Sequence, residues 1–308
     1  MDDRSVRKRQ GVTVVVPTLN RDQFLPRCLR CLVGQRHRPL QILVVDQSTE
    51  ANGDVVRLAA QHRDLVDLHR VSFRGLPMAR NYGWQYAKHE AIVFVDDDIE
   101  CGPELVSEHL IALSSAGVGL VAGGIDSPAG PVDRRPRPGT FCRWTATPQR
   151  GFAAEGSGEA DHAAGCNFSA WRVAIEEAGG VDEGLSVGAA LYEETDLCLR
   201  VKRAGYRVVF HGPARLTHLA VADGGCRVER VPDYVRALAH NRGMMIRRHC
   251  RWYHAPVALG RLTTLGLSYA RHYRAPETLS ACLWGTLQGL RAGGRAPACT
   301  AFRRGYVA

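Results

Sequence analysis

Short, predominantly apolar runs separated by polar turns recur along the chain. They lie at 12–16, 41–45, 66–71, 92–95, 206–210 and 215–219. Runs of this length that are rich in β-branched and aromatic residues predict strands, and nearly continuous apolar runs predict strands buried on both faces of a sheet. Segments with helical spacing of apolar residues separate the first four runs. This alternation predicts βαβ units and an α/β fold with a mostly parallel central sheet flanked by helices.

Three segments between these strands have the apolar spacing of a helix that packs on a sheet. The first follows Asn20 and Asp22, either of which is a candidate N-cap, and the second covers 54–60. The third begins after Gly75 and carries Gly83 on a face of small residues. That face predicts close packing of the third helix on the sheet.

Three consecutive carboxylates follow the apolar run at 92–95. Asp96, Asp97 and Asp98 therefore lie at the carboxyl end of a predicted strand, where ligands bind in open α/β sheets. Adjacent carboxylates repel one another unless a cation neutralises them, and their hard oxygen atoms suit Mg²⁺ or Mn²⁺. Acidic triplets also occur as solvated turns. This segment by itself leaves a metal site and a solvated turn as alternatives.

A second group of acids opens the segment 192–205. Its apolar residues share one helical face, and Gly205 suits the end of a helix. Glu193, Glu194 and Asp196 thus lie in the first turn, where the helix dipole favours their charged forms. Acids at such a position are commonly dipole partners alone, so a catalytic role has to be argued from the rest of the chain.

Arg80 and Asn81 lie near the first turn of the helix that follows Gly75. A cation and an amide beside the positive end of a helix dipole favour an anion such as phosphate. A solvated helix start with a locally bonded Asn81 is the alternative, and without further support it is the preferred one.

Two segments rich in proline, glycine and small residues, 128–138 and 151–165, predict loops without regular structure. Long loops within a compact domain are often lids or binding loops. The β-like pattern resumes at 165–170.

Arginine dominates the charged residues of the C-terminal region. Beyond residue 235, Glu277 is the one acid among twelve arginines, at positions 236, 242, 247, 248, 251, 261, 271, 274, 291, 295, 303 and 304. Helical patterns lie at 234–248 and 279–290. Apolar helix faces rimmed by arginine suit a membrane interface, and packing on the parent domain with a solvated outer face is the alternative.

The length of 308 residues accommodates one large core with an appendage. We expect a flexible basic tail at 1–10, an α/β domain at 11–222 and an Arg-rich helical extension at 223–308. The formal charge of +9 indicates an anionic partner, which could be a phosphorylated substrate, a membrane surface or nucleic acid.

The first ten residues are polar and lack the apolar core of a signal peptide, and no run of about eighteen apolar residues could span a bilayer. Ten cysteines are scattered along the chain, and the close pair Cys28 and Cys31 has no second pair to complete a zinc site. We therefore expect free thiols and a cytoplasmic protein. A peripheral contact with the inner face of the plasma membrane stays open.

Five segments, taken in order, resemble the family 2 glycosyltransferases of the GT-A fold. They are VTVVVPTLNR, LVVDQST, GLPMARNYGWQYAKHEAIVFVDDDIE, GCNFSAWRVAIEEAGGVDEGL and YEETDLCLRVKRAGYRVVFHGPARLTHL. Each motif is weak by itself, whereas five in the expected order favour the metal interpretation of the acidic triplet. The resemblance covers about 12–219 and implies a donor half at about 11–125 and an acceptor half at about 126–222.

The resemblance implies inverting transfer of a sugar from a nucleoside diphosphate donor, UDP or dTDP, to an acceptor hydroxyl with Mn²⁺ or Mg²⁺ as cofactor. It implies a metal site of Asp96, Asp98 and His218, with Asp98 of the DXD motif as the main ligand. Asp96 would hold either the ribose or the metal through water, and a core imidazole is the alternative for His218. The implied nucleotide-binding residues are Pro17, Thr18, Asn20, Arg21, Asp46, Arg80 and Asp97. The implied residues of the acceptor and sugar side are Asn81, Gly165, Cys166, Asn167 and Glu193.

Glu194 occupies the position of the family's usual catalytic aspartate and is the expected general base, with Asp196 as the reserve candidate. The chain lacks the transmembrane helices and the QxxRW signature of the processive members, which indicates a non-processive enzyme. The acceptor could be a glycan, a lipid-linked carrier or a small natural product.

The alternative to an enzyme is a catalytically silent sugar-binding or scaffolding protein with the same fold. A nucleotidyltransferase is disfavoured because no Gly-rich phosphate loop follows the first strand. The scarcity of lysine in the basic region and the absence of a recognised motif argue against nucleic acid as the partner.

Overall fold

The computed structural model describes residues 10–21, 23–128, 136–186, 188, 190–220, 228 and 230–302. Most of the expected basic tail, the candidate cap Asp22 and most of the loop at 128–138 lie outside the described residues. The same holds for 221–227, which contain the expected start of the C-terminal extension.

Nine strands form one mixed sheet in the order β3-β2-β1-β4-β10-β6-β11-β5, and β9 pairs with β11. The strands are β1 Val12–Thr18, β2 Leu40–Asp46, β3 Val66–Arg70, β4 Ala91–Val95, β5 Ile99–Cys101, β6 Val118–Asp126, β9 Ser157–Glu159, β10 Asn167–Trp171 and β11 Arg207–His218. A separate hairpin joins β7 Thr140–Cys142 to β8 Thr147–Gln149. The pairs among β1 to β4 and the pair β6 with β11 are parallel, which confirms the predicted fold class.

Helices cover both faces of the sheet and build the C-terminal region. They are α1 Leu25–Val33, α2 Gly53–Gln61, α3 Leu76–Tyr86, α4 Leu105–Leu113, α5 Arg172–Glu177, α6 Glu193–Arg203, α7 Val231–His249, α8 Ala255–His272 and α9 Glu277–Ala292. One core cluster joins the sheet to α1, α2 and α4, and a second joins it to α3, α5 and α6. On the second face, a Cβ atom added at Gly83 would lie 2.3 Å from Val15, so the predicted close packing of α3 is confirmed.

The sequence patterns misplaced three local features. The helix α1 begins at Leu25 after Phe24 without a side-chain cap, so Asn20 is not its N-cap. The two strands predicted at 206–210 and 215–219 are one strand, β11, with an irregular register between His211 and Arg215. The segment 151–165 is not structureless, because it contains β9.

The sequence patterns also passed over α4 and β6. Glycine weakens the strand signal of β6, which reads VGLVAGGID. The structure requires this residue type, since a Cβ atom at Gly123 would lie 2.2 Å from the side chain of Asn167 and 2.5 Å from the carbonyl of Ala214. The close packing of β6 against its neighbours therefore requires glycine, and glycine weakens the strand pattern in the sequence.

The topology brings several distant segments to one edge of the sheet. β1, β2 and β4 are parallel, so Thr18, Asp46 and Asp96 all lie at their carboxyl ends. β10 runs antiparallel to β4, with Asn167 opposite Val95, so the residues before β10 reach the same edge. This shared edge is where the predicted site residues meet.

The C-terminal helices pack on the α/β domain. Asn241 of α7 donates hydrogen bonds of 3.1 and 3.0 Å to the carbonyls of Leu185 and Leu191, which both precede α6. Further along, the backbone N–H of Phe302 donates to Gln85 of α3 at 2.8 Å. Among the helices of the described segments, none combines the length and apolarity required to cross a bilayer.

Candidate active site

One cleft opens at this edge of the sheet and has a volume of about 590 Å³. It is bordered by the residue after β4, the loop before β10, the start of α6 and the end of β11. Seven residues predicted for the site line it, namely Arg80, Asp96, Gly165, Cys166, Glu193, Glu194 and His218. The fold thus brings together residues from both predicted halves of the domain.

Three potential metal ligands meet in this cleft. A carboxylate oxygen of Asp96, the Sγ of Cys166 and a ring nitrogen of His218 all lie within 4.8 Å of one another. The Nε2 of His218 also lies 3.1 Å from Oδ1 of Asp98. Oxygen, nitrogen and sulfur atoms at this spacing can converge on one divalent cation after small adjustments. The donor set therefore fits a metal ion.

Arg21 neutralises the two more deeply buried carboxylates of the acidic triplet. Its Nη1 lies 3.0 Å from Oδ1 of Asp97 and 3.0 Å from Oδ2 of Asp98. Thr18 donates a hydrogen bond of 2.7 Å to Oδ2 of Asp97. Burial raises the pKa of Asp97 to about 6, although Arg21 and Thr18 oppose the increase. Asp96 is partly exposed and lines the cleft, so it is the most accessible acid of the three.

The other predicted nucleotide-binding residues lie at the neighbouring ends of β1 and β2. Thr18 is the register partner of Asp46, and Pro17 precedes it. The backbone N–H of Asn20, a residue with a φ of 53°, donates to the hydroxyl of Ser48 at 2.8 Å. The backbone N–H of Ser48 in turn donates to Oδ1 of Asp46 at 2.9 Å. These two polar turns are therefore joined beside the acidic triplet.

Arg80 connects the two sides of the cleft. Its side chain is 1% exposed, and its Nη1 forms an ion pair with Glu193 at the start of α6. Its Nη2 donates to the carbonyl of Gly165 at 2.9 Å and lies 3.5 Å from Oδ1 of Asp96. One buried guanidinium therefore fixes an acid on each side of the cleft and the loop between them.

Glu194 is a partly buried residue at the start of α6, and it lies on the wall of the cleft. Burial raises its pKa above the usual carboxyl value, although the positive charge of Arg80 and a backbone hydrogen bond oppose the increase. Tyr192, the preceding N-cap residue, has a left-handed φ of 72°. Backbone strain of this kind concentrates at functional sites. A carboxyl group in this position can accept a proton from a molecule in the cleft.

The profile of the glycosyl transferase family 2 matches residues 13–179, more than half of the chain. The chain belongs to this family. The match spans β1 to α5 and therefore includes the acidic triplet and the loop before β10. The family resemblance predicted from the five motifs is thus confirmed.

Relatives of this family 2 chain are similar to it over about a third of its length. The validoxylamine A glucosyltransferase of Streptomyces hygroscopicus subsp. limoneus is 34% identical over 108 residues, which are 33% of this chain and 23% of that protein. The glycosyltransferase GlyG of Streptococcus pneumoniae is 30% identical over 102 residues, or 32% of each chain. The chain covers no more than about a third of the length of the first relatives that it matches.

Solved glycosyltransferase structures have the same fold as this family 2 chain. The mannosyltransferase PcManGT of Pyrobaculum calidifontis, solved with GDP-Man and Mn²⁺, gives a TM-score of 0.57 at 18% identity and covers 92% of this chain and 87% of its own. GalNAc-T7, solved with UDP, GalNAc and Mn²⁺, gives a TM-score of 0.60 at 19% identity and covers 75% of this chain and 48% of its own. These neighbours confirm the GT-A fold.

Three predicted site residues of the family 2 chain have their side chains engaged outside the cleft. Asp196 is buried and bonded to arginine and histidine side chains. Asn81 donates to the carbonyl of Val181 and to Glu183, both at 2.8 Å. Asn167 donates to two carbonyl groups of the sheet. These contacts indicate that all three support the walls of the cleft from behind.

Other residues line the cleft although the sequence patterns did not assign them to the site, and they include Arg150, His162 and Tyr192. Arg150 directly follows β8, and His162 lies in the segment 151–165, which the sequence patterns described only as a loop. Tyr192 stands directly before the acids of α6, and its left-handed conformation is visible only in the structure. No local periodicity or spacing could have identified these residues.

Proposed function

We propose that this chain is an inverting, non-processive glycosyltransferase that uses a divalent metal and moves a sugar from a nucleoside diphosphate sugar, UDP or dTDP, to an acceptor hydroxyl. One observation carries the proposal. Glu194, a carboxyl group with a raised pKa, lines the same cleft as the ligand group of Asp96 and His218. This reaction requires a carboxylate base that removes a proton from the acceptor and a group that stabilises the leaving diphosphate.

The donor side of the proposed site is the edge formed by β1, β2 and β4. Asp46 would contact the base, and the polar turn from Pro17 to Arg21 would contact the nucleotide. Asp96, Asp98 and His218 would hold Mn²⁺ or Mg²⁺, which as a Lewis acid would offset the negative charge that develops on the diphosphate. Arg21 supports this arrangement because it keeps Asp97 and Asp98 close together.

The acceptor side is the wall formed by α6 and the loop before β10. The carboxylate of Glu194 would remove the proton of the acceptor hydroxyl while that oxygen forms a bond to the anomeric carbon. The bond from the anomeric carbon to the diphosphate breaks on the opposite side, which inverts the configuration. Glu193 is already paired with Arg80, so its role is to position the start of α6 and, through it, Glu194.

Replacement of Glu194 tests the proposed base. Glu194→Gln should lower kcat by about 10²- to 10⁴-fold and leave the Kd of the donor nearly unchanged, since the amide cannot accept the proton. The exposed Glu176→Gln, on α5, is the matched control and should transfer sugar at the normal rate. Normal transfer by Glu194→Gln would refute the assignment of the base.

A thermal-shift panel tests the donor class. Nucleoside diphosphates of uridine, thymidine and guanosine, with and without Mn²⁺ or Mg²⁺, should raise Tm only where the nucleotide binds the folded chain. Stabilisation by a uridine or thymidine diphosphate that requires metal is expected. Stabilisation without any transfer to an acceptor would favour the catalytically silent alternative.

A peripheral membrane contact is part of the proposal for the C-terminal helices. Trp252 and Trp284 are 85% and 50% exposed. Leu283 and Leu287 of α9 share a helix face with Arg291, because residues four apart lie above one another. Exposed tryptophan and leucine beside arginine suit the headgroup region of an anionic lipid surface.

A further inference from the structure

The thiol of Cys166 stands where a third metal ligand would. Its Sγ, a carboxylate oxygen of Asp96 and a ring nitrogen of His218 lie within 4.8 Å of one another. Cys166 is 7% exposed as a whole residue, and it lines the cleft. A sulfur atom in this position is chemically different from the oxygen atoms that Mg²⁺ requires.

The register of the sheet fixes Cys166 beside the acidic triplet. β10 runs antiparallel to β4 and pairs Asn167 with Val95. If this register is extended by one residue, Cys166, which precedes Asn167, lies opposite Asp96, which follows Val95. Asn167 is anchored by hydrogen bonds of 2.8 Å to the carbonyls of Gly124 and Ala214. Cys166 is therefore held at this point by the sheet itself.

The residues on either side of the cluster are fixed as well. The carbonyl of Gly165, directly before Cys166, accepts a hydrogen bond of 2.9 Å from Arg80, which also contacts Asp96. His218 ends β11, and its Nε2 contacts Asp98 at 3.1 Å. Three ligand atoms from three separate elements thus have supported positions, as a preformed metal site requires.

We propose that Cys166 binds the metal ion of this site as a thiolate, so that the site prefers borderline and soft cations such as Co²⁺, Zn²⁺ and Cd²⁺ over Mg²⁺. The inference deepens the proposed function, since it concerns the same metal site. As the metal–sulfur bond forms, the proton of the thiol leaves to solvent, so binding releases one proton from Cys166. Thiolate, imidazole and carboxylate together favour the later metals of the first transition series over hard cations.

Cadmium titration of the whole chain tests the proposal directly. Cd²⁺ added to the wild type should produce the ultraviolet charge-transfer absorption of a cadmium thiolate, and calorimetry in two buffers should show the release of a proton. Cys166→Ser should lose this absorption and bind Cd²⁺ about tenfold more weakly or worse. Its affinity for Mg²⁺ should change much less.

A pair of cysteines elsewhere in the chain, Cys31 and Cys101, provides the matched control. The Sγ atoms of Cys31 and Cys101 are 3.2 Å apart, so this pair could also take up cadmium. Cys101→Ser should keep the absorption that belongs to Cys166. His218→Ala should weaken it, and this variant decides the question if Cys166→Ser fails to fold.

The outcomes separate this inference from the proposed function. Unchanged absorption in Cys166→Ser, or absorption that disappears only in Cys101→Ser, would overturn the thiolate assignment while sugar transfer by the wild type still stands. A cadmium thiolate at Cys166 together with no transfer from any nucleotide sugar would keep the metal site and refute the glycosyltransferase proposal.

Discussion

The Nε2 of His249, at the end of α7, lies 2.8 Å from Oδ1 of Asp196 in the first turn of α6. Arg200 contacts the other carboxylate oxygen at 2.8 Å, and Arg248 lies 3.3 Å from the same atom. The end of α7 therefore supports α6, the helix that begins at Glu193 and carries Glu194. A truncation before α7 would remove this support, so the C-terminal region has to be tested with point variants.

The first prediction concerns acid stability. Burial raises the pKa of Asp196, but Arg200, His249 and Arg248 outweigh it, so the folded pKa lies below the usual value of 3.8. A depressed folded pKa adds stability above the unfolded pKa, and that stability is lost as the pH falls through the folded pKa. Asp196→Asn should lower the free energy of unfolding at neutral pH by about 3 to 5 kcal/mol.

Urea unfolding at neutral pH and at about pH 3 measures this effect. The difference between wild type and Asp196→Asn should shrink at the lower pH. The exposed Asp64→Asn is the control and should unfold like the wild type. A difference that does not depend on pH would contradict the linkage.

The second prediction concerns the pH dependence of sugar transfer. Because the pKa of Glu194 is raised, chiefly by burial, its carboxylate forms at a higher pH than that of an exposed glutamate. The base must be deprotonated to act, so kcat/KM should fall on the acid side with an apparent pKa above the usual 4.5. In Glu194→Asp, kcat/KM should still fall on the acid side, with a different apparent pKa. If the same fall in kcat/KM persists in Glu194→Gln, the titrating group is not Glu194.

The third prediction concerns the buried ion pair between Arg80 and Glu193. Arg80→Met should destabilise the fold by about 3 to 5 kcal/mol, because it leaves a buried carboxylate without its cation. Arg80→Met combined with Glu193→Gln should regain part of that loss, since the uncompensated charge is gone. Thermal unfolding of Arg80→Met, of Glu193→Gln and of the double variant measures the coupling between the two residues. Strictly additive losses would show that the pair is not coupled.

The fourth prediction concerns the packing of α3. Alanine favours helix over glycine by about 1 kcal/mol, yet Gly83→Ala should destabilise the chain by about 1 to 3 kcal/mol because the new Cβ would collide with Val15. Gly260→Ala in α8 is the matched control, since a Cβ there has no described neighbour within 4 Å. That change should leave the stability equal or increase it. Denaturant midpoints of both variants compare the two positions.

The fifth prediction concerns the C-terminal surface. Trp252→Ser combined with Trp284→Ser should weaken sedimentation with vesicles that contain anionic lipid, because it removes two exposed aromatic side chains. Ile111→Ser, at an exposed position of α4, is the control. Unchanged sedimentation of the double variant, or equal binding to neutral vesicles, would refute the proposed membrane contact.

The sequence pattern was sufficient to predict the strands of the N-terminal part of the sheet. The runs at 12–16, 41–45 and 92–95 became β1, β2 and β4, because a buried parallel strand needs apolar residues at nearly every position. The order of the motifs was sufficient to predict the family. The acids after β4 and at the start of α6 were identified as site candidates from their positions at the ends of predicted elements.

Which of these residues share a cleft depends on the folded arrangement of the whole sheet. Asp96, Cys166 and His218 belong to three segments that the sheet order places side by side, and no local pattern carries that order. The structure also separated Glu194 from Asp196, because two positions on one helix lie about 200° apart around its axis, and Asp196 therefore faces the cluster of Arg200, Arg248 and His249. Periodicity records which face of an element is apolar, whereas the partners of a polar side chain depend on contacts between distant parts of the chain.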